Sequence, residues 1–178
     1  MHLTPQPLFA MITGRFKGKF AGLDIVFMVD TGSELNLMSQ EFYNRTSLAI
    51  DLDSTHWSLK GINGRPVPLG GCVRDAEIKI SGRRFDHHVF ISREGMGKQE
   101  IILGQPWLQW YSASIQYTRQ GSMNMRVWQE GDSDKHGCHQ GPSILIPLCT
   151  PNAPQNTSTL NMDRHPRIEE VVDEDSEK

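Results

Sequence analysis

The stretch that decides the fold is Leu23-Asp-Ile-Val-Phe-Met-Val29, followed directly by Asp30-Thr31-Gly32-Ser33. Residues 23–29 are dense in apolar, β-branched and aromatic side chains, and the run is too short for a typical helix, so it predicts a buried strand. The strand stops abruptly at Asp30. A carboxylate at that point is costly to desolvate without hydrogen bonds, so we expect its neighbours to hold it for a chemical purpose.

The residues that follow Asp30 are suited to holding a carboxylate. Thr31 supplies a hydroxyl, Gly32 permits a tight turn whose amide can donate, and Ser33 adds a further donor. An isolated Asp-x-Gly tripeptide is more often an ordinary surface turn. The wider order of segments therefore has to decide between these two interpretations.

Two further segments follow in a fixed order. Asn63-Gly64 is a strong hairpin signal because both central positions of a type I′ turn need positive φ. Pro66 and Pro68 cannot donate to a ladder, so this hairpin is expected at an edge or projecting from the fold. The apolar run Ile101-Ile-Leu103-Gly104 then leads into a short helix, with Pro106 at a favourable first helical position.

The remaining elements are expected to be short. Leu8 to Thr13 predicts a strand that runs into a turn at Gly14 and Gly18, and Ser39 is a plausible N-cap for one or two helical turns. Further strands are predicted by this pattern over 73–80, 85–91, 114–117 and 123–128. The chain is therefore predicted to be all-β, with a domain over 1–130, a possible returning strand at 143–149, and a polar, acidic tail over 131–178 that is largely disordered.

Composition excludes several classes of function. The 178 residues suffice for one ordinary domain plus a tail, and a net charge of −3 with scattered basic residues gives no footprint for nucleic acid. We find no apolar run of membrane-spanning length and no basic-then-apolar leader. The three cysteines are an odd set with no paired spacing, which argues against a disulfide framework and suits a reducing compartment. We expect a soluble, intracellular and cytoplasmic protein.

Together these segments resemble one family. The order Val29-Asp30-Thr31-Gly32-Ser33, then Gly61 to Gly64, then Ile102-Leu103-Gly104 with Trp107-Leu108, resembles the retropepsin-like aspartic proteases and, within them, the gypsy-type long-terminal-repeat retrotransposon enzymes. The Ile-Leu-Gly-x-x-Trp-Leu form is the most diagnostic of that branch. The resemblance covers about residues 8 to 128.

The resemblance implies a fold and a role for each motif. It implies a single-lobed closed barrel with a flap hairpin and one short C-terminal helix, in which Asp30 is catalytic and Thr31, Gly32 and Ser33 support the active-site loop. The residues implied to form the flap over a peptide substrate are Gly61, Ile62, Asn63 and Gly64. Those of the second apolar loop, packed under the active-site loop, are Ile102, Leu103 and Gly104.

The implied mechanism needs two carboxyl groups that share a proton, and this chain has a single Asp-Thr-Gly. The expected active form is a homodimer with one Asp30 from each subunit, an aspartic endopeptidase that processes a retrotransposon polyprotein of the Gag-Pol kind. No cofactor, metal, nucleic acid or membrane is implied. Retroviral members follow the second glycine with an Arg and an acidic or amide residue that support the dimer, whereas this chain has Gln105-Pro106.

Alternative functions are a catalytically silent dimerisation or peptide-binding module from a domesticated or decayed retroelement, and a cellular protease of the DNA-damage-inducible ubiquitin-shuttle type. An intact Asp30-Thr31-Gly32 favours the enzyme, and no ubiquitin-like segment is visible for the shuttle type.

Other candidate sites are weaker. A metal at His136-Gly-Cys138-His139 lacks a second ligand cluster, and strand alternation would send the rings of His87 and His88 to opposite faces. For the four tryptophans, core packing is the more frequent use in a domain this small.

Overall fold

The structure is a computed structural model that describes residues 9–10, 13–52, 56–60, 64–119, 121–131, 139, 141–149 and 157–158. Within these ranges the elements, in chain order, are β1 (Phe9–Ala10), β2 (Arg15–Phe20), β3 (Leu23–Val29), β4 (Leu37–Ser39), α1 (Gln40–Asn44), β5 (Ser58–Lys60), β6 (Pro66–Pro68), β7 (Cys72–Ala76), β8 (Ile78–Ile80), β9 (Arg83–Arg84), β10 (His87–Ser92), β11 (Ile101–Leu103), α2 (Gln105–Trp110), β12 (Ser114–Tyr117), β13 (Met123–Trp128), β14 (Ser143–Cys149) and β15 (Thr157–Ser158).

The main sheet has eight strands in the order β7-β10-β4-β11-β3-β2-β8-β9. Strands β7 and β8 stand first and seventh in that order, yet Glu77 alone separates them along the chain. The last residue of β7 and the first of β8 therefore lie within about 7 Å of each other, since a strand rises roughly 3.3 Å per residue. The sheet consequently curls back on itself, as a barrel requires.

The strands that end at the first and the last sequence motifs, β3 and β11, are neighbours in this sheet. β11 lies between β3 and β4, parallel to the former and antiparallel to the latter, with Leu103 opposite Val29. Phe27, Met38, Ile101 and Leu103 are fully buried in the core that these strands share. The chain segments that follow Val29 and Leu103 are thus brought side by side at one edge of the barrel.

One strand was not predicted. The sequence indicated a turn at Gly14 and Gly18, but Arg15–Phe20 forms β2, which pairs with β3 along its length and turns only at Ala21-Gly22. A Cβ at Gly18 would lie 2.8 Å from the Lys79 carbonyl oxygen and 2.9 Å from the Phe27 ring. Gly18 is therefore a point of close approach inside the sheet rather than a turn residue.

Smaller sheets flank the barrel. β5 and β6 form a separate two-stranded hairpin, which agrees with the edge or projecting position expected from Pro66 and Pro68. β12, β13 and β14 form an antiparallel sheet, and β1 pairs with β15. In β14, at residues 143–149, Ile146 and Leu148 join the core, so the folded lobe includes chain beyond residue 131.

The all-β, single-lobed architecture expected from the sequence is confirmed, and the described residues include two short helices among the strands. The helix at 40–44 begins at the predicted N-cap, where the Ser39 hydroxyl accepts the Phe42 amide at 3.1 Å. In the part of the chain described, none of the helices is long and apolar enough to span a bilayer.

Tyr111 makes the stability of the lobe sensitive to alkaline pH. Its ring lies in the core, its hydroxyl donates to the Asp86 carbonyl, and burial, with the Asp86 charge as a smaller cause, raises the pKa of Tyr111 to about 12 from 10.0. Between these values the unfolded chain loses the phenolic proton while the folded chain keeps it.

We therefore expect the free energy of unfolding to fall by at most about 1.4 kcal/mol per pH unit from this group between pH 10.0 and about 12. Urea unfolding below and above that pH measures the effect. Tyr111→Phe should remove this part of the pH dependence, and an unchanged slope in that variant would contradict the assignment.

Candidate active site

Asp30 is fixed by the interleaved strands. It follows directly on β3, and its amide donates to the Leu103 carbonyl at 3.0 Å. The half-buried carboxylate accepts the Gly32 amide at its Oδ1, at 2.9 Å. A Cβ at Gly32 would lie only 3.3 Å from that oxygen, so glycine leaves the carboxylate room beside the backbone. The predicted Asp30–Gly32 contact is therefore present in the folded chain.

Ser33 contributes differently from expectation. Its hydroxyl donates to the Leu35 carbonyl at 2.7 Å, and its amide donates to the Asp30 backbone carbonyl at 3.2 Å. The Ser33 hydroxyl, which was expected to donate to the Asp30 carboxylate, therefore donates to the loop backbone instead. Its hydroxyl shapes the turn, because Leu35 offers a carbonyl two residues on, at a spacing that serine commonly uses.

The loop after β11 lies against the loop after β3. Gly104 is where they touch: a Cβ on it would lie 2.3 Å from the Leu35 carbonyl oxygen and 2.6 Å from that of Ser33. The next amide, of Gln105, donates to the Ser33 carbonyl at 2.8 Å. Glycine is required here by close approach of two backbones. Ile102 is half-buried and Leu103 fully buried beneath this contact.

Gln105 and Pro106 open α2, with Gly104 as N-cap and Pro106 at the second helical position rather than the first. The Gln105 side-chain amide donates to the Thr31 carbonyl, and Gln109 donates to Gln105 Oε1 at 3.1 Å. The neutral side chain of Gln105 therefore links α2 to the active-site loop. Retroviral members have an Arg at the corresponding position, directly after the second glycine. Thr31 itself is exposed beside a shallow pocket of ≈ 210 Å³ shared with α2 and Ile115.

Asn36 is a site residue that the motif pattern missed. It is fully buried, and its Oδ1 accepts the Gly104 amide at 2.9 Å while its Nδ2 donates to the His88 carbonyl at 3.0 Å. Its own carbonyl accepts the Phe90 amide. A polar residue within the apolar run Leu35-Asn36-Leu37-Met38 was the available signal, because a buried amide needs partners.

The prediction for the two adjacent histidines was wrong. A register irregularity between His87 and Val89 interrupts the alternation of β10, and the His87 and His88 rings lie with centroids 4.2 Å apart. Burial lowers the pKa of both side chains, and Arg74 lowers that of His88 further. A bulge lets neighbouring residues share one side of a strand.

The hairpin predicted as the flap is described in part. Its arms are β5 and β6, and Gly64 has φ of 75°, as a turn glycine should, whereas Gly61, Ile62 and Asn63 lie outside the described residues. Trp57, which directly precedes the first arm, lines an open groove of ≈ 860 Å³ whose lining also includes Glu34, Leu35, Phe90 and Pro106. The groove begins at the residues that continue the active-site loop.

Tryptophans are used less in the core than expected. Trp107 is fully buried and donates through its indole nitrogen to the Phe85 carbonyl at 3.0 Å, but Trp57 and Trp110 are 59% and 68% exposed. Trp57 lies against Phe90 at 5.7 Å between centroids. Trp57 lines the groove that begins at Glu34 and Leu35, whereas the Trp110 ring lies 6.3 Å from that of His87.

Among the residues described, there is no group of three or more His, Cys, Asp and Glu side chains arranged so that it could hold a metal ion. His139 instead stacks on Trp128, with centroids 4.5 Å apart and rings 11° from parallel. His136 and Cys138 lie outside the described ranges.

Comparison with known proteins places the site in context. A family model described as the PEG10/RTL1 protease domain matches residues 26–131, a span that includes both loops of the site. None of the curated proteins compared matches the chain.

Two solved structures are similar. The retroviral protease-like domain of Ddi1 from Leishmania major has a TM-score of 0.48 and 11% identity, covering 64% of this chain and 86% of that one. EIAV protease, complexed with the inhibitor HBY-793, has a TM-score of 0.45 and 18% identity, covering 55% of this chain and 86% of that one.

Proposed function

This chain belongs to the PEG10/RTL1 protease domain family, and from that membership we propose that it is an aspartic endopeptidase, active as a homodimer with Asp30 from each subunit. The family confirms the resemblance to retropepsin-like proteases of retroelement origin. A retroelement polyprotein is the proposed substrate, cut within an extended segment bound beneath the β5–β6 hairpin.

The chemistry proposed for Asp30 follows from pairing two identical carboxyls. Two carboxylates about 3 Å apart cannot both ionise, so the pair holds one proton between them. The ionised member takes a proton from a water molecule, and the protonated member donates a hydrogen bond to the scissile carbonyl. The Gly32 amide, at 2.9 Å from Asp30 Oδ1, fixes the carboxylate so that it need not reorganise during this step.

The observation that carries the proposal is the position of that carboxylate. Asp30 lies half-buried at the end of β3 in a loop that is held from behind by Gly104 and Gln105. An ordinary surface turn does not need this many contacts from a second loop. Thr31 is exposed next to the start of α2, so a second subunit can approach the loop on that face.

Substrate contacts are proposed for the groove beside Glu34 and Leu35. Part of its lining is apolar, and Leu35, Trp57 and Phe90 there suit apolar side chains that flank the scissile bond. Another part is charged or polar, and its residues are Glu34, Asp51, Arg74, Asp75 and His88. The residues proposed to close over the peptide are Gly61, Ile62, Asn63 and Gly64, at the tip of this hairpin.

Dilution tests the requirement for two subunits. If each active site needs two chains, the initial rate of cleavage at low concentration should rise with the square of protein concentration, because the dimer fraction follows mass action. We expect this with a library of peptides containing apolar junctions at mildly acidic pH, and we expect pepstatin to inhibit the reaction.

A rate proportional to protein concentration over the range in which sedimentation shows dissociation would contradict the shared site. A protein that dimerises but gives no pepstatin-sensitive cleavage would instead support the catalytically silent peptide-binding module.

A further inference from the structure

The buried Asn36 amide has one possible orientation. Its Oδ1 faces the Gly104 amide, which can only donate, and its Nδ2 faces the His88 carbonyl, which can only accept. Turning the amide over would place like groups against each other at both contacts. Asn36 therefore ties β10 to the glycine that supports the Asp30 loop.

This orientation constrains the protonation of His87. Nδ1 of His87 lies 3.2 Å from Asn36 Nδ2, which presents a hydrogen to it, so Nδ1 completes the network only as an acceptor. The same Nδ1 lies 3.2 Å from the His88 carbonyl, which would attract a proton placed there. In the neutral ring that accepts from Asn36, the proton is on Nε2.

When Nδ1 of His87 carries a proton, these hydrogen bonds can no longer all form. An imidazolium N–H would point at the Asn36 amide hydrogens and would compete with Asn36 for the His88 carbonyl, since both lie within 3.2 Å of it. Asn36 would then lose one partner and share another. As the Asn36 side chain shifts, the hydrogen bond from the Gly104 amide to Asn36 Oδ1 would weaken.

The surroundings of His87 oppose protonation. From its own strand the ring of His88 lies against it, from α2 the ring of Trp110 lies at 6.3 Å, and from the paired strand β7 Ala76 is opposite it. The charged Arg74 of β7 lowers the pKa of the neighbouring His88. Desolvation is the largest cause and lowers the pKa of His87; the His88 backbone carbonyl raises it, the charge of the His88 ring lowers it, and the net shift is downward. The neutral ring is thus the form that the fold stabilises.

We propose that Asn36 is a positioning residue for the Asp30 loop, and that neutral His87 holds it in place through an unprotonated Nδ1. Protonating His87 loosens the Asn36–Gly104 hydrogen bond and thereby the support of the loop. Its effect on catalysis rests on the proposed function, and appears as the acid limit of activity.

The first experiment needs no cleavage. Nitrogen-15 spectra of the full chain should show neutral His87 with a bare Nδ1 and a protonated Nε2. Hydrogen exchange at the Gly104 amide, corrected for its intrinsic pH dependence, should lose about tenfold protection as His87 takes up its proton, the loss expected for one weakened hydrogen bond. A proton on Nδ1 of neutral His87, or protection that does not follow its titration, would overturn the proposal.

Matched variants separate His87 from its neighbour. His87→Gln offers an oxygen that can accept from Asn36 and does not titrate in this range, so Gly104 protection should become independent of pH. His88→Gln keeps the backbone carbonyl that Asn36 uses and leaves His87 in place, so protection should fall as in the wild type. The same behaviour in both variants would refute the assignment.

Activity provides the second readout. In an active protein, His87→Gln should move the acid limb of the normalised pH profile to lower pH, whereas His88→Gln should leave the limb in place. Absence of cleavage in the wild type would count against the endopeptidase alone, since the spectra and the exchange of Gly104 would still decide the role of Asn36.

Discussion

Asp30→Asn should abolish peptide hydrolysis, with kcat/KM lowered by about 10⁴-fold or more, while the dimer persists. An amide cannot take the proton of the attacking water, and a pair with no ionised carboxyl has no general base. The side-chain oxygen that accepts the Gly32 amide at 2.9 Å is retained in asparagine, so the loop keeps its shape. Cleavage assays and equilibrium sedimentation on the same preparations measure both parts of this result.

Asp24→Asn is the matched control for that variant. Asp24 lies on the same strand, β3, and is an exposed carboxylate paired with Lys19 at 2.8 Å. The same change of charge there should leave cleavage within a factor of about two, because exposed ion pairs contribute little. If the Asp30→Asn variant showed pepstatin-sensitive cleavage at the wild-type rate, Asp30 would be excluded as the catalytic group.

Gly104→Ala should be the most destabilising single methyl addition in the site, lowering the free energy of unfolding by about 3–5 kcal/mol. The added Cβ would stand 2.3 Å from the Leu35 carbonyl oxygen and 2.6 Å from the Ser33 carbonyl oxygen. Both obstacles are backbone, so no rotamer change relieves them, and the active-site loop itself has to move. Chemical denaturation monitored by tryptophan fluorescence gives the size of the loss.

Gly95→Ala controls for the general effect of replacing glycine. A Cβ at Gly95 meets no heavy atom within 4 Å, and its backbone is outside the left-handed region, so we expect a change within about 0.5 kcal/mol. Equal effects of the two substitutions would mean that the contact between the loops does not stabilise the fold. A stable Gly104→Ala protein with lost activity would place the strain in the loop instead.

The two proposals meet at Gly104. Its missing side chain lets the loops touch, and its amide is the group that Asn36 holds. Gly104→Ala disturbs the contact by volume at any pH, whereas protonation of His87 disturbs it only at acid pH. Comparing the two perturbations in one assay therefore distinguishes loss of support from loss of the fold.

Local patterns in the sequence were sufficient for the elements that carry their own signals. The run at 23–29 is a strand, Ser39 caps a helix, and the hairpin arms at 58–60 and 66–68 flank the Asn63-Gly64 turn signal. In each case apolar spacing or backbone conformational preference acts within a few residues. Gly18 was misread because close approach of another strand gives a glycine the same sequence signal as a turn.

Contacts between distant segments were beyond the reach of those patterns. Asn36 and Gly104 are far apart in sequence, and nothing in either neighbourhood reveals that the amide of one meets the side chain of the other. The pairing of the His87 and His88 rings likewise depends on an irregular register against β7. Strand register is a property of two segments together, so alternation in one strand could not predict it.

The sequence by itself determined that this chain carries one Asp-Thr-Gly after a buried strand, followed by an apolar run that ends in glycine, and these are local properties of composition and spacing. The tertiary structure decided how that aspartate is supported. Insertion of β11 between β3 and β4 brings Gly104 against the backbone of the active-site loop, and Asn36 fastens it there. The physical reason is that a buried polar group must find partners, and only the folded chain determines which partners are within reach.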